Sequence, residues 1–270
     1  LDRLIIDYLG AEDCELNRAI TRKHFTAAVA RIFKPGCKYD QCLIMTGPEG
    51  VGKSTLLNVL GGDWFNDSIV TTEGKEGMDQ LRRSWIIELG ELSSIKRSDV
   101  EQVKAYLSKR VDIYRAAYDR RTGEHPRQCV FCGTTNEALF LKGDTGNRRF
   151  WVISIDPALR KYDDWYTKIA EDRDQIWAEA VQVYRNGEKL CLDASMEVEA
   201  RKRQEDYNDD SDDPMVAMLY RFLDLLLPAD WSTRDLSDRR RYLREPDPLD
   251  AVGVEKRTRV CAAEFICEVL

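Results

Sequence analysis

Gly47-Pro48-Glu49-Gly50-Val51-Gly52-Lys53-Ser54 sets three glycines, a lysine and a hydroxyl in one short stretch, spaced as GxxxxGK[ST]. Glycines let a backbone curl until successive N–H groups point at one anion. A helix beginning near Lys53 adds the positive end of its dipole. A lysine supplies a point charge, and a serine hydroxyl can ligate a cation. The flanks weigh against a chance glycine-rich turn. Gln41 to Thr46 reads as a short apolar strand entering the loop. Thr55 to Leu60 reads as a helix leaving it, stopped by Gly61-Gly62.

Strand, loop and helix in that order predict a phosphate loop for a nucleoside triphosphate, with ATP and Mg²⁺ as the expected ligands. The contacts expected are Gly47, Pro48, Glu49, Gly50, Val51, Gly52, Lys53, Ser54 and Thr55. Lys53 belongs on the β- and γ-phosphates and Ser54 on the metal.

Working outward, the chain has 270 residues, enough for one large domain or a core with appendages. Its net charge of −7 excludes a basic coat for nucleic acid, so any such site must be a local patch. No apolar run approaches the ~18 residues of a membrane span. Asp2, Arg3 and Asp7 interrupt the N-terminal apolar residues, which argues against a signal peptide. The missing initiator Met and an uncapped helical pattern over Val260 to Leu270 lead us to expect a fragment of a longer chain. Eight scattered cysteines read as free thiols of a reducing cytoplasm. Cys129 and Cys132 form one CxxC inside an apolar strand. A three-residue offset there puts them on opposite faces, which argues against zinc.

Cys14 to Phe33 predicts a helix, with Ile20, His24, Ala28 and Ile32 on one stripe. Further helices are expected over Glu73 to Arg83, from Ser98 with a capping box to Glu101, and over Trp165 to Asn186, Ser195 to Tyr207 and Met215 to Leu227. Strands are expected over Ser84 to Leu89, Asp112 to Tyr118, Gln128 to Gly133 and Phe150 to Ile155, with Arg120 to Pro126 joining the middle two. The acidic run from Asp209 to Pro214 reads as a linker. Strands alternating with helices predict an α/β fold with a mostly parallel sheet. The expected organisation is an N-terminal helical segment (1–40), a P-loop core (41–156), a helical lid (157–204), and a linker with a helical C-terminal region (205–270).

Trp85-Ile86-Ile87-Glu88-Leu89-Gly90-Glu91 puts one carboxylate at the end of a buried strand and another just past it. A carboxylate on so apolar a strand is costly unless a metal or partner satisfies it. Glu88 is assigned to Mg²⁺ and Glu91 to the catalytic base, though the roles could be exchanged. Two surface glutamates flanking a strand end would look the same. Ligands of a parallel sheet sit off the carboxyl ends of its strands. Asn136, after Phe131 to Thr135, could therefore bond a phosphate or the attacking water, or simply cap a helix. Arg148 and Arg149 lie in a polar loop before a strand and could stabilise phosphoryl charge from a neighbouring subunit, or be solvated.

From Leu92 to Arg127 there are nine Lys/Arg against five Asp/Glu, with Tyr106, Tyr114 and Tyr118 interleaved. Cations for phosphates and rings for bases suit single-stranded nucleic acid, and a solvated basic hairpin is the plain alternative. The candidate contacts are Lys104, Arg115, Arg120, Arg121 and His125. Lys104 lies beside an apolar stripe, so it is either snorkelling or functional.

These pieces in this order resemble the virulence-associated protein E family of phages and mobile genetic elements. Its ATPase core is similar to superfamily 3 helicases, a branch of the AAA+ class. The resemblance covers about Cys14 to Tyr207. It rests on Ala30 to Gly36, the phosphate loop, Trp85 to Leu92, Asp112 to Arg115, Gly133 to Asn136, Gly146 to Phe150 and Ile176 to Ala180. It implies an AAA+-like P-loop NTPase, assembling as a ring, often a hexamer in that family, around single-stranded or forked DNA. By the same resemblance Asn136 is a γ-phosphate sensor, Arg148 or Arg149 the finger, the Asp112 to Arg127 hairpin the pore lining, and Arg173 a further phosphate contact. Carboxylates three apart, where many AAA+ proteins have adjacent Asp-Glu, leave the base assignment open. The leading expectation is a Mg²⁺-dependent ATPase acting as a DNA helicase or translocase in replication of a mobile element. The alternative is a regulatory or scaffolding NTP-binding module.

Overall fold

The computed structural model describes residues 1–67, 78, 80–90, 103–115, 121–137, 140–141, 147–208, 215, 218–219, 222–223, 225–244, 257 and 259–269. It divides into two compact units, Leu1–Asp209 and Asp210–Leu270.

The first unit is built on a five-stranded sheet. Its strands are β1 (Cys42–Thr46), β2 (Phe65–Asn66), β3 (Ile86–Leu89), β6 (Val130–Thr135) and β7 (Phe150–Ser154), in the order β2-β3-β6-β1-β7. Every pairing is parallel. A parallel sheet covers both faces with other elements, so its strands read as nearly continuous apolar runs. Alternate side chains supply two separate cores. Leu43, Met45, Cys132, Trp151 and Ile153 face one core, and Cys42, Ile44, Phe131, Phe150 and Val152 the other. Cys129 and Cys132 accordingly join opposite layers.

The first layer holds α1 (Leu4–Leu9), α2 (Glu15–Phe33), α3 (Lys53–Gly61) and α4 (Trp165–Arg185). Most of α2 is buried, which suits a helix packed on several sides. Its expected stripe holds at Ile20, His24 and Ala28, whereas Ile32 is 44% exposed. Asp164 and Asp193 cap the starts of α4 and α5 (Ala194–Glu205) through Thr167 N–H and Met196 N–H. The outer edge of β7 is sealed by side chains of α5: Gln204 Nε2 donates to Phe150 O at 2.6 Å and Arg203 Nη1 to Val152 O at 3.2 Å. The segment expected as a lid thus packs on α2, α3 and β7.

The hairpin differs from expectation. β4 (Val111–Tyr114) pairs antiparallel with β5 (Gly123–Pro126), in the segment expected to be a connection. The run from Val130 belongs to the main sheet, because its apolar side chains suit a two-faced strand. The hairpin base is locked by Arg127, which donates to both Asp112 oxygens at 2.7 and 2.8 Å and lies over the Tyr106 ring. Both partners of this pair are buried, so removing either would strand a charge.

In the second unit, Phe222, Leu243 and Phe265 form a small core. α6 (Leu236–Arg244) and α7 (Ala262–Val269) pack together there. Glu268 receives both Arg257 and Arg239 at 3.0 Å. Among the described residues no helix is long and apolar enough to cross a membrane.

His24 is fully buried in the first unit, its Nδ1 2.8 Å from Tyr39 Oη and its Nε2 3.2 Å from Cys132 Sγ. Burial lowers its pKa to about 3. The unfolded chain therefore binds more protons below about pH 6.5, and stability falls as pH falls. Between pH 7 and 5 this group alone should cost about 2 kcal/mol. Urea titrations should show the loss in the parent and a correspondingly flatter profile in His24→Gln; equal slopes would contradict it.

Candidate functional site

The phosphate loop leaves β1 at its carboxyl end, and α3 begins at Lys53. Gly52 has φ +93°, a left-handed conformation natural to glycine. A Cβ there would lie 2.2 Å from Trp165 Cζ2, and one at Gly47 2.6 Å from Ile155 O. Close neighbours therefore require these two positions to lack side chains. Lys53 Nζ donates to Gly47 O and Pro48 O, each at 2.8 Å. Burial lowers the lysine's pKa, opposed by Glu49 and Glu88.

β6 separates β3 from β1, so Glu88 stands two strands from the loop's own strand, about 10 Å at the usual strand spacing. Two hydroxyls span that gap. Ser54 Oγ donates to Glu88 Oε1 at 2.6 Å, and Thr134 Oγ1 donates to the same oxygen at 2.5 Å. The register explains Thr134. Cys132 lies opposite Glu88, and Thr134 is two residues on, on the same face. Glu88 is 4% exposed, and its Oε2 is buried with no hydrogen-bond partner among the described residues. A buried carboxylate oxygen left open beside a serine hydroxyl is a hard donor set, suited to Mg²⁺.

A cleft of about 390 Å³ lies over this arrangement, lined by residues from Glu49 to Thr55 and by Thr134, Thr135 and Asn136. The structure thus brings the loop, Ser54 and Asn136 to one opening, with Glu88 beneath. Asn136 is exposed at its rim. Glu91 and Arg120 lie outside the described residues.

Sequence reasoning missed three residues here. Thr134 sits in a polar run, Gly133 to Asn136, in which no local pattern sets it apart from its neighbours. Arg160 Nη2 donates to Val51 O, and its guanidinium lies 5.1 Å from the Trp165 ring centre. Trp165 itself covers Gly52. Neither of these two contacts has a local sequence signal, because both come from a segment more than one hundred residues downstream.

Arg148 and Arg149 lie elsewhere. Phe150 pairs with Cys42, at the amino end of β1, while the loop follows Thr46. Four rises of about 3.3 Å put the arginines at least about 13 Å from their own loop along the sheet. Arg149 Nε donates to Ser108 Oγ at 2.9 Å, whereas Arg148 is exposed. Arg173 is exposed on α4 and bonds Asp174.

The nucleic-acid candidates divide as well. Arg115 and Arg121 are exposed on the hairpin. His125 is half-buried, its ring 4.5 Å from that of Tyr114. Lys104 is a correction: at 2% exposed it is buried and offers little surface to a strand outside. Its place beside the apolar stripe carried it inward.

The fold and loop define a P-loop protein of the α/β class. The virulence-associated protein E-like domain matches residues 1–209, and the chain belongs to that family. Among solved structures, the apo C-terminal region of NrS-1 is similar at 18% identity and a TM-score of 0.46, over 92% of this chain and 62% of that one. Its A form gives 18% identity and a TM-score of 0.46, over 81% of this chain and 57% of that one. This chain thus spans about three fifths of those chains. No match was found among curated proteins.

Gly52→Ala should therefore strain the backbone and push on Trp165, costing roughly 1–3 kcal/mol. Adding Trp165→Ala should recover only part, because the positive φ remains. Thermal melts of the single and double variants check this. An unchanged melt for Gly52→Ala would contradict the packing described.

Proposed function

We propose that this chain is a Mg²⁺-dependent ATPase that works as a DNA helicase or translocase in replication of a phage or mobile genetic element. The observation that carries the reading is the buried, half-satisfied carboxylate of Glu88 against Ser54 at the mouth of the loop. Family membership favours the mobile-element setting.

In this reading Lys53 leaves the loop carbonyls to hold the β- and γ-phosphates. The loop N–H groups and the start of α3 hold the remaining phosphate charge. Ser54 Oγ and Glu88 hold Mg²⁺, which when bound would neutralise charge gathering on the phosphate oxygens. Thr134 fixes the Glu88 carboxylate, and Asn136 orients the attacking water from the rim. Glu91 takes a proton from that water. Trp165 and Arg160 brace the loop so that its N–H groups stay aligned.

Arg148 fits the role of finger better than Arg149, which is engaged with Ser108. At its distance from its own loop it would act on a neighbour, so hydrolysis requires an assembly of copies, a ring in the proposed form. Arg115 and Arg121, with Arg120, would meet DNA on the hairpin.

Lys53→Ala should abolish hydrolysis, and Arg148→Ala should lower kcat about 10³-fold or more. Mixing the two inactive proteins should restore activity at interfaces that pair an intact loop with an intact Arg148. A mixture no more active than its components would rule out the shared site. If single-stranded DNA fails to stimulate the parent, and Arg121→Ala changes nothing, the chain is instead an NTP-binding regulatory module.

A further inference from the structure

The aromatic pocket at the amino ends of β2, β3 and β6 is unused by the proposed reaction. It encloses about 470 Å³. The phosphate loop lies off the opposite, carboxyl ends of the strands, so this is a second and separate opening. Its floor is the Trp85–Trp177 pair, with ring centres 4.2 Å apart. Both indole N–H groups are engaged inside, with Ala28 O and Leu60 O, so the floor presents ring surface rather than donors. Phe33 and Trp64 stand at the rim, 58% and 61% exposed. Phe33 has one face stacked on Tyr184 at 5.5 Å and 12°.

Charge distinguishes this opening from an ordinary apolar dent. Among the described residues no Asp or Glu lines it, although the chain carries a net −7. Arg82 and Arg83 line it, both exposed, with Gln128 beside them. Aromatic faces with arginines at the edge match a planar base joined to a phosphate. An acidic peptide would use the arginines but not several ring faces. A neutral apolar partner would make no use of the two guanidinium groups.

An adjoining small cavity is lined by His125 and Pro126 of β5, and it shares Arg82 and Gln128 with the aromatic pocket. From exposed Arg121, a path therefore runs along β5 past His125 to Gln128, Arg82 and the exposed rings. At about 3.3 Å per residue, Arg121 to Gln128 spans roughly 23 Å, a length for several nucleotides rather than one.

We propose that this pocket is a base-binding subsite for single-stranded nucleic acid. A base stacks on Trp64 or Phe33, flanking phosphates lie on Arg82 and Arg83, and the strand arrives from the hairpin. The proposal rests on the reading of the hairpin as a nucleic-acid contact and extends that contact to the opposite end of the sheet from the nucleotide site.

The test uses the whole chain and a fluorescein-labelled oligo-deoxythymidine, followed by anisotropy over a salt series. Trp64→Ala removes an exposed ring and keeps the backbone carbonyl that accepts from Trp85 N–H. It should weaken binding about 5- to 100-fold, the range for one lost base stack. Arg82→Gln with Arg83→Gln should reduce the slope of log affinity against log salt by about 0.7 per phosphate contact. Arg121→Gln tests the hairpin by itself. If it weakens binding while the Trp64 and Arg82/Arg83 variants match the parent, the hairpin reading stands and the pocket proposal is overturned. If the parent binds no oligonucleotide, both fail. If Trp64→Ala leaves DNA affinity intact but abolishes self-association measured by sedimentation, the pocket is a protein interface and the proposal is overturned.

Discussion

A parallel sheet cannot leave either face to water without exposing a continuous apolar surface. That constraint organises the first unit. It requires α2, α3 and α4 on one side and a second layer, containing Tyr106, Leu107 and Phe140, on the other. It also runs β1, β3 and β6 in one direction, so their carboxyl ends converge. The loop, Glu88 and Thr134 meet there because the strands are parallel and in register, although they are far apart in sequence.

The same directionality separates the functions proposed for the two ends of the sheet. The proposed triphosphate site lies at the carboxyl ends, around one buried carboxylate held by two hydroxyls. Arg148 and the aromatic pocket lie toward the amino ends. A residue needed at the loop but positioned at the amino ends can serve only another copy. In the proposed function a trans-acting Arg148 and an assembly of copies therefore stand or fall together.

Much of this was legible in the sequence where the signal is local. The loop and its flanking strand and helix follow from eight residues and their neighbours. Glu88 stands out because a carboxylate on an apolar strand calls for an explanation. The hairpin was harder. Residues Gly123 to Pro126 look like a turn, with Gly and Pro at the ends, and only their pairing with Val111–Tyr114 makes them a strand. Thr134, Arg160 and Trp165 depend on register and on a helix returning over the loop, which no local pattern encodes. At Lys104 two local signals compete, since the charge count favours a surface and the place beside the apolar stripe favours burial, and the side chain is 2% exposed.

The central claim is that Glu88 and Ser54 form the metal side of an ATP site. Calorimetric titration of ATP, with and without Mg²⁺, into the parent and Glu88→Gln tests it most directly. Mg²⁺ should tighten ATP binding by the parent, and that gain should vanish in Glu88→Gln while metal-free affinity is retained. An equal gain in both proteins, or no ATP binding by the parent, would contradict the account.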